Sequence, residues 1–322
     1  MPSALPLAFR ALGVQAVTAA PAGRIAVFLA AARPQFFPAI VLPVLLGTAV
    51  AWREAQAFHP VLFLLAMLAA LLCHAGANVV NDYFDFASGA DNLNPTPLTP
   101  YAGGSRTIQR GLLSPGQTYK YGLTLLSTAV LLGLVLAART GIPLLAIGLT
   151  GVASAWLYSA PPIAINYRGL GEALIGLNFG VLPVLGAYYV QAQALSFMAF
   201  AASLPLAFLA SAILYVNQFP DYEWDRAAGK RTLVVALGRE RGARIYPLFA
   251  AAALLGVVAA VASNALPGTS LLALAPAPPV WTAARALAAA GGDVARMLPA
   301  IRITIAVHAF VGIVLIFAVL LG

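Results

Sequence analysis

Ten acidic residues serve a chain of 322, and six of them fall in two short patches. Asp82, Asp85 and Asp91 make the first, and Asp221, Glu223 and Asp225 the second. Asn78 and Asn81 precede Asp82 and Asp85 at spacings of three and four, which predicts one face of a helix. Asn217, Asp221 and Asp225 repeat that logic at i, i+4 and i+8, with Pro220 placed to kink or restart the helix. Carboxylates do not converge in such numbers without a cation between them, so the pattern points to a divalent-metal site. Each patch then runs into basic residues in a glycine-bearing loop: Gly103 to Arg106, followed by Arg110, after the first; Arg226 to Thr232, with Gly229 and Lys230, after the second. Acids can hold the metals, metals can bridge phosphate oxygens, and Arg and Lys can take the remaining charge. That set suits a magnesium diphosphate.

The elements that must position these residues are membrane helices. The chain is 61 % hydrophobic and 9 % charged, whereas soluble domains carry about 25 % charged residues. Charge-free runs such as 173–220 are long enough for two spans, since one span needs about 20 apolar residues. The runs are continuous rather than alternating, which excludes a β-barrel. The single cysteine, Cys73, supports neither a disulfide framework nor a zinc site.

The expected fold is all-α and polytopic, with about nine transmembrane helices around a central cavity. The spans fall near 25–52, 60–81, 119–138, 142–160, 171–191, 195–218, 245–263, 266–290 and 301–321. Pro276, Pro278 and Pro279 should kink or break the eighth. Residues 1–23 read as an extension, rich in Ala and Pro, ahead of a single domain over 24–322. With the N-terminus in the cytoplasm, sixteen of the eighteen Lys and Arg residues fall on the cytoplasmic side and only Arg53 and Arg139 on the other. The positive-inside rule favours that orientation. The net charge of +8 therefore reflects topology rather than nucleic-acid binding. Both acidic patches then lie at the cytoplasmic face of the plasma (inner) membrane, each closing an even-numbered span, as two half-sites facing across a bundle.

This setting suggests a reaction. An allylic diphosphate ionises when metals and cations stabilise the departing diphosphate. The carbocation needs shielding from water and an electron-rich acceptor. Tyr83, Phe84, Phe86, Tyr101 and Tyr158 flank the first patch, and Tyr215, Phe219, Tyr222 and Trp224 the second. They can stabilise a cation through their faces or serve as an interfacial belt. A long isoprenoid tail explains a place in the bilayer.

At these residues the chain resembles the UbiA superfamily of intramembrane aromatic prenyltransferases. The resemblance rests on Asn81-Asp82-xx-Asp85-xxxxx-Asp91 and on Asp221-xxx-Asp225-xxx-Gly229-Lys230-Arg231-Thr232. It extends through Ala32-Arg33-Pro34, Gly111 to Pro115, Tyr158 to Pro162 and Tyr167 to Glu172, and covers roughly residues 25–245. It implies nine helices around a cavity, Mg2+, a polyprenyl diphosphate donor and an aromatic acceptor. The five residues between Asp85 and Asp91 are most similar to the 1,4-dihydroxy-2-naphthoate polyprenyltransferase branch. The 4-hydroxybenzoate branch spaces its first motif by three and stays open as an alternative. Two departures bear on the acceptor. Pro162 stands where a lysine often follows the tyrosine, leaving Arg168 as the nearest cation onward, and the loop after Asp91 reads Gly-Gly-Ser-Arg.

The resemblance also implies roles. Asn81, Asp85, Asp91, Asp221 and Asp225 would hold metal and diphosphate, with Arg106 and Lys230 on the phosphates. Asp82, Asp85 and Asp221 would be catalytic. Arg33 would meet an acceptor carboxylate or cap the first span. Asn78 and Asn217 would polarise the site or bond between helices, and Tyr158 and Arg168 would contact substrate. His74 reads as a core histidine. A secondary transporter is the rival from another class, but its acids would sit near mid-bilayer rather than beside long polar loops. A CDP-alcohol phosphotransferase would need an Asp-Gly-xx-Ala-Arg signature that the chain lacks.

Overall fold

The computed structural model describes residues 23–95, 97–98 and 100–322; the extension expected at the N-terminus lies almost wholly outside them. Helices follow one another as α1 (Arg24–Ala32), α2 (Pro38–Ala55), α3 (Pro60–Ala87), α4 (Ala90–Leu93), α5 (Pro115–Thr140), α6 (Pro143–Leu157), α7 (Gly171–Gly176) and α8 (Leu182–Ala192). Then come α9 (Phe197–Ala227), α10 (Leu233–Leu237), α11 (Arg239–Ala262), α12 (Ala277–Ala290) and α13 (Val294–Leu321). Among the described residues there is no strand. Proline opens α2, α3, α5 and α6, where its missing N–H costs no helical bond. Ser114 and Gln117 form a reciprocal capping box at α5.

Seven helical segments among the described residues are long and apolar enough to cross a membrane, with α7 and α8 counting as one through a π-turn at Leu177–Val181. The protein is a multi-pass membrane protein, and seven of the nine expected spans meet that length. The fourth segment, α6, has 15 residues, about 22 Å of helix. The eighth is split into a 3-10 stretch, Gly268–Leu274, and α12, with Pro276 between them. Proline there removes the backbone donor that would continue the helix. Pro220 does not restart its helix, because α9 runs through it to Ala227.

Small residues let the helices pack. A Cβ at Gly76 would stand 2.8 Å from Leu126 of α5, and Gly180 abuts Ala207 of α9. Leu46 and Val50 of α2, Leu206 and Leu209 of α9, Val257 of α11 and Leu315 of α13 form the largest core. Three helices outrun the rest, and α13, with 28 residues, is one of them. Helix α3 has 28 residues and α9 has 31, roughly 42 and 46 Å against a hydrocarbon layer of about 30 Å. The last turns of α3 and α9 carry the acidic patches.

Candidate active site

The two patches meet at one end of the bundle, and the polar residues of α3 share one face with different partners at its two edges. Asn78 and Asp82 turn toward the elbow between α1 and α2. Asn78 Nδ2 donates to the carbonyl of Ala32 at 3.1 Å, and Asp82 is ion-paired with Arg33. Asn81 and Asp85 occupy the other edge of that face. Asn81 Nδ2 donates to Asp85 Oδ2 at 3.0 Å and to Ser159 Oγ at 2.9 Å. Residues four apart stack, and all four positions fall within an arc of about 100°, so the expected single face holds, with different partners at its two edges. Arg33 reaches Asp82 from a left-handed backbone conformation, φ 55°, at the end of α1. Such conformations in non-glycine residues gather at functional sites.

Lys230 joins the halves. Its Nζ lies 3.2 Å from Asp85 Oδ2 and 3.7 Å from Asp225 Oδ1, and 5.3 Å from the centre of the Tyr167 ring. Burial works against the charge on Lys230, but Asp225 and Asp85 outweigh it and hold its pKa well above the ordinary value.

A second link is backbone. Asp221 accepts from Asn94 Nδ2 at 2.9 Å and from the Gly103 amide at 3.0 Å. Two residues on, the Ser105 amide reaches Asp82 at 3.3 Å. Gly104 between them has φ +77°, and a Cβ there would stand 2.8 Å from Asp91 Oδ2 and 3.0 Å from Asp82 Oδ1. Only glycine fits where the loop passes between two carboxylates. Arg106 is buried, and its guanidinium donates to the carbonyls of Asp91 and Asn94, so it holds this loop together. Arg168 is exposed and bonds the carbonyls of Ile163 and Pro162 at 2.6 and 2.9 Å. It lies outside the cavity wall.

A cavity of about 430 Å³ opens at this end. Asn81, Asp85, Asp91, Asn217, Asp221 and Asp225 line its polar end, with Arg33, Asn78, Tyr158 and Lys230 around them. Farther in, Ala70, Val130, Leu134, Leu149, Val152 and Leu182 line an apolar arm among α3, α5, α6 and α8. Of the aromatic residues near the patches, Tyr101, Tyr158 and Trp224 also line the cavity. Tyr215 and Phe219 are buried in a core cluster instead, and Tyr83 and Phe84 stack with Tyr119 and Trp156.

Burial and mutual repulsion dominate the electrostatics of the acids. Burial pushes the Asp91 carboxyl up to about 7, and the charges of Asp85 and Asp82 add to the rise. Asn217 Oδ1 and Asp82 Oδ2 are buried without a hydrogen-bond partner. Among the described residues no three His, Cys, Asp or Glu side chains converge as a closed cage for one ion. Magnesium does not require one. It is commonly held by one or two carboxylates plus water and substrate phosphates, and acids distributed around an open cavity fit that mode.

Several participants carried no signal in spacing. Ser159 holds Asn81. Tyr167 hydrogen-bonds Ser88 Oγ at 2.6 Å and reaches Asp85 Oδ1 at 3.4 Å. Burial and then the charge of Asp85 push its phenol up to about 12, which keeps it a donor. Tyr167 belongs to a quoted motif, but nothing in the motif tells which way its ring points.

The sequence between residues 40 and 298 matches the UbiA prenyltransferase family. The chain belongs to that family. It is therefore an enzyme that transfers prenyl groups. A relative named 1,4-dihydroxy-2-naphthoate octaprenyltransferase, from Mycobacterium tuberculosis (strain ATCC 25618 / H37Rv), is 33 % identical over 220 residues, covering 68 % of this chain and 72 % of that protein. One of the same name from Bacillus subtilis (strain 168) is 29 % identical over 233 residues, covering 72 % and 73 %. The UbiA prenyltransferase domain-containing protein 1 of Xenopus tropicalis is 32 % identical over 226 residues, 69 % of this chain and 63 % of its own length. The fold matches that of a UbiA homologue from Archaeoglobus fulgidus bound to GPP and Mg2+, with a TM-score of 0.59 at 16 % identity, covering 91 % of this chain and 99 % of that one.

Proposed function

We propose that this UbiA enzyme transfers a polyprenyl group from its diphosphate to an aromatic acceptor of the 1,4-dihydroxy-2-naphthoate kind, with magnesium, in menaquinone synthesis. One observation carries the reading: both acidic patches and Lys230 meet at the polar end of a cavity whose other arm is apolar. A diphosphate fits the first part and an isoprenoid tail the second. The names of the mycobacterial and Bacillus relatives favour a naphthoate acceptor.

Asn81, Asp85 and Asp91 would hold metal on one side, and Asp221 and Asp225 on the other. Bound magnesium supplies positive charge that stabilises the diphosphate as it departs. Lys230 adds a fixed cation between Asp85 and Asp225 and takes phosphate charge once metal engages those acids. The allylic C–O bond breaks with its electron pair on the diphosphate, and a ring carbon of the acceptor supplies the new C–C bond. With a dihydroxynaphthoate the ring carboxylate then leaves as carbon dioxide. The apolar arm excludes water from the cation, and Tyr158 and Trp224 border its path. Arg33, held by Asp82, is the cation nearest the elbow for an acceptor carboxylate. On this reading residues 24–322 form one prenyltransferase unit, and the positive-inside bias favours a site at the cytoplasmic face of the plasma membrane.

The test is purified enzyme with magnesium, a labelled prenyl diphosphate, and dihydroxynaphthoate or 4-hydroxybenzoate, with products identified by mass. A decarboxylated prenyl naphthoquinol, lost on chelating magnesium, is the expected product. Prenylated hydroxybenzoate alone would overturn the acceptor; transfer undiminished by chelator would overturn the metal.

A further inference from the structure

One buried polar group takes no part in holding metal or diphosphate. His74 lies on α3 two turns before Asp82 and is 6 % exposed. The spacing reads it as a satisfied core histidine, but its Nδ1 is buried with no hydrogen-bond partner. It also lines the cavity. Buried polar groups without partners are rare, and one that borders a cavity invites a ligand.

Its surroundings define what that ligand is. The His74 ring is 5.6 Å from Phe37, tilted at 59°, and 4.6 Å from Phe179, edge-on at 75°. Phe37 follows the α1–α2 elbow. Phe179 sits in the π-turn between α7 and α8, a helix irregularity that often marks function. That π-turn is pressed on α9, where Gly176 and Gly180 approach Ser211 and Ala207 with no room for a Cβ. The wall carrying Phe179 therefore has little freedom. Phe36, Phe179 and Asn78 line the cavity beside His74. His74, Asn78 and Asp82, each one turn apart, present an imidazole, an amide and a carboxylate toward one elbow, and Arg33 closes the row.

A long aliphatic tail would find nothing to satisfy an imidazole nitrogen, and a diphosphate would be drawn to Lys230 and the acids. A flat ring bearing a hydroxyl satisfies every part: aromatic faces for the ring, and one hydrogen-bonding atom for its oxygen. We propose that His74 is a specificity-determining residue of the acceptor site, hydrogen-bonded to a phenolic hydroxyl of an acceptor ring held in the cavity beside Phe179. The proposal rests on the aromatic prenyl transfer inferred above and adds where the acceptor binds and which atom selects it.

The experiment measures initial rates with dihydroxynaphthoate and a prenyl diphosphate varied separately, for wild type, His74→Phe and His74→Gln, alongside thermal unfolding of each. The expected result is an acceptor KM raised tenfold or more in His74→Phe, a prenyl-diphosphate KM within twofold of wild type, and most of the acceptor KM restored in His74→Gln. An acceptor KM unmoved in both variants would overturn the proposal. So would a parallel rise in both KM values, or a Gln variant as impaired as Phe; either result reports a structural role. Should His74→Phe fail to fold, His74→Gln and His74→Asn carry the same comparison. The wild-type arm separates the two readings. No transfer by wild type to any ring acceptor would refute the proposed function, whereas normal wild-type transfer with indifferent variants would refute His74 alone.

Discussion

The two half-sites look alike in sequence and are held in different ways. On α3, both patch aspartates face a cation: Asp82 meets Arg33, and Asp85 meets Lys230. On α9, Glu223 pairs with Arg239 at the surface, and of the two aspartates Asp225 pairs with a cation among the described residues, whereas Asp221 is held by neutral donors, the Asn94 amide and the Gly103 N–H. The first half is braced by charge and the second by a loop wrapped over it. A sequence repeat thus fixes where carboxylates stand along a helix, not what neutralises them. The Gly103–Ser105 backbone and Lys230 touch both halves, so they are the points where two patches become one site.

Removing the acids that share Lys230 should have the largest effect. Asp85→Ala and Asp225→Ala should each lower kcat/KM about 10³-fold, roughly 4 kcal/mol of transition-state stabilisation. Retained activity in either variant, in membranes with normal expression, would break the equivalence of the halves. Lys230→Met should follow, at about 10²-fold, near 3 kcal/mol, with the loss in the prenyl-diphosphate dependence rather than in the acceptor KM.

The asymmetry itself is tested by stability. Asp82→Asn leaves Arg33 partly buried without its counter-charge, and should destabilise the protein by about 3 kcal/mol. Asp221→Asn keeps an oxygen for one amide donor and should cost about 1 kcal/mol. Equal shifts in unfolding midpoint would show that the halves are braced alike after all.

The smallest effect concerns pH. Burial and neighbouring acids raise the Asp91 carboxyl from an ordinary 3.8 to about 7. The folded state therefore binds more protons than the unfolded state between those values, and stability falls as pH rises through the window. In magnesium-free buffer, thermal stability should be higher at pH 5 than at pH 8. Asp91→Asn should flatten that slope, and added magnesium should restore stability at pH 8 by favouring the ionised acid. A slope unchanged by Asp91→Asn would assign the titration elsewhere.

Much was legible in the chain because its signals are local. Continuous apolar runs can satisfy backbone groups in lipid only as helices. Scarce acids at helical spacing announce a site because nothing else in so apolar a chain requires them. Helix starts were readable at Pro60 and Pro143, since a ring lacking N–H belongs at a first turn, but the expected first span, 25–52, runs through Pro38, where the structure separates α1 from α2. The count of spans was less readable. Hydropathy does not distinguish a full-length helix from the 15 residues of α6, or from the split eighth segment.

What only the tertiary structure decided is the pairing. Spacing placed Asn78 to Asp85 on one side of α3, and packing decided that one edge of that face meets the α1–α2 elbow and the other the Ser159 turn. Arg106 and Arg168 carry charges that suit a phosphate, yet their guanidinium groups hold loop carbonyls. His74 sits in an apolar run and reads as core until Phe179 and the cavity appear beside it. Periodicity records which side of its own helix a residue occupies. It holds no information about which other segment, a hundred residues away, arrives at that side, because long-range contacts are set by how the whole bundle closes.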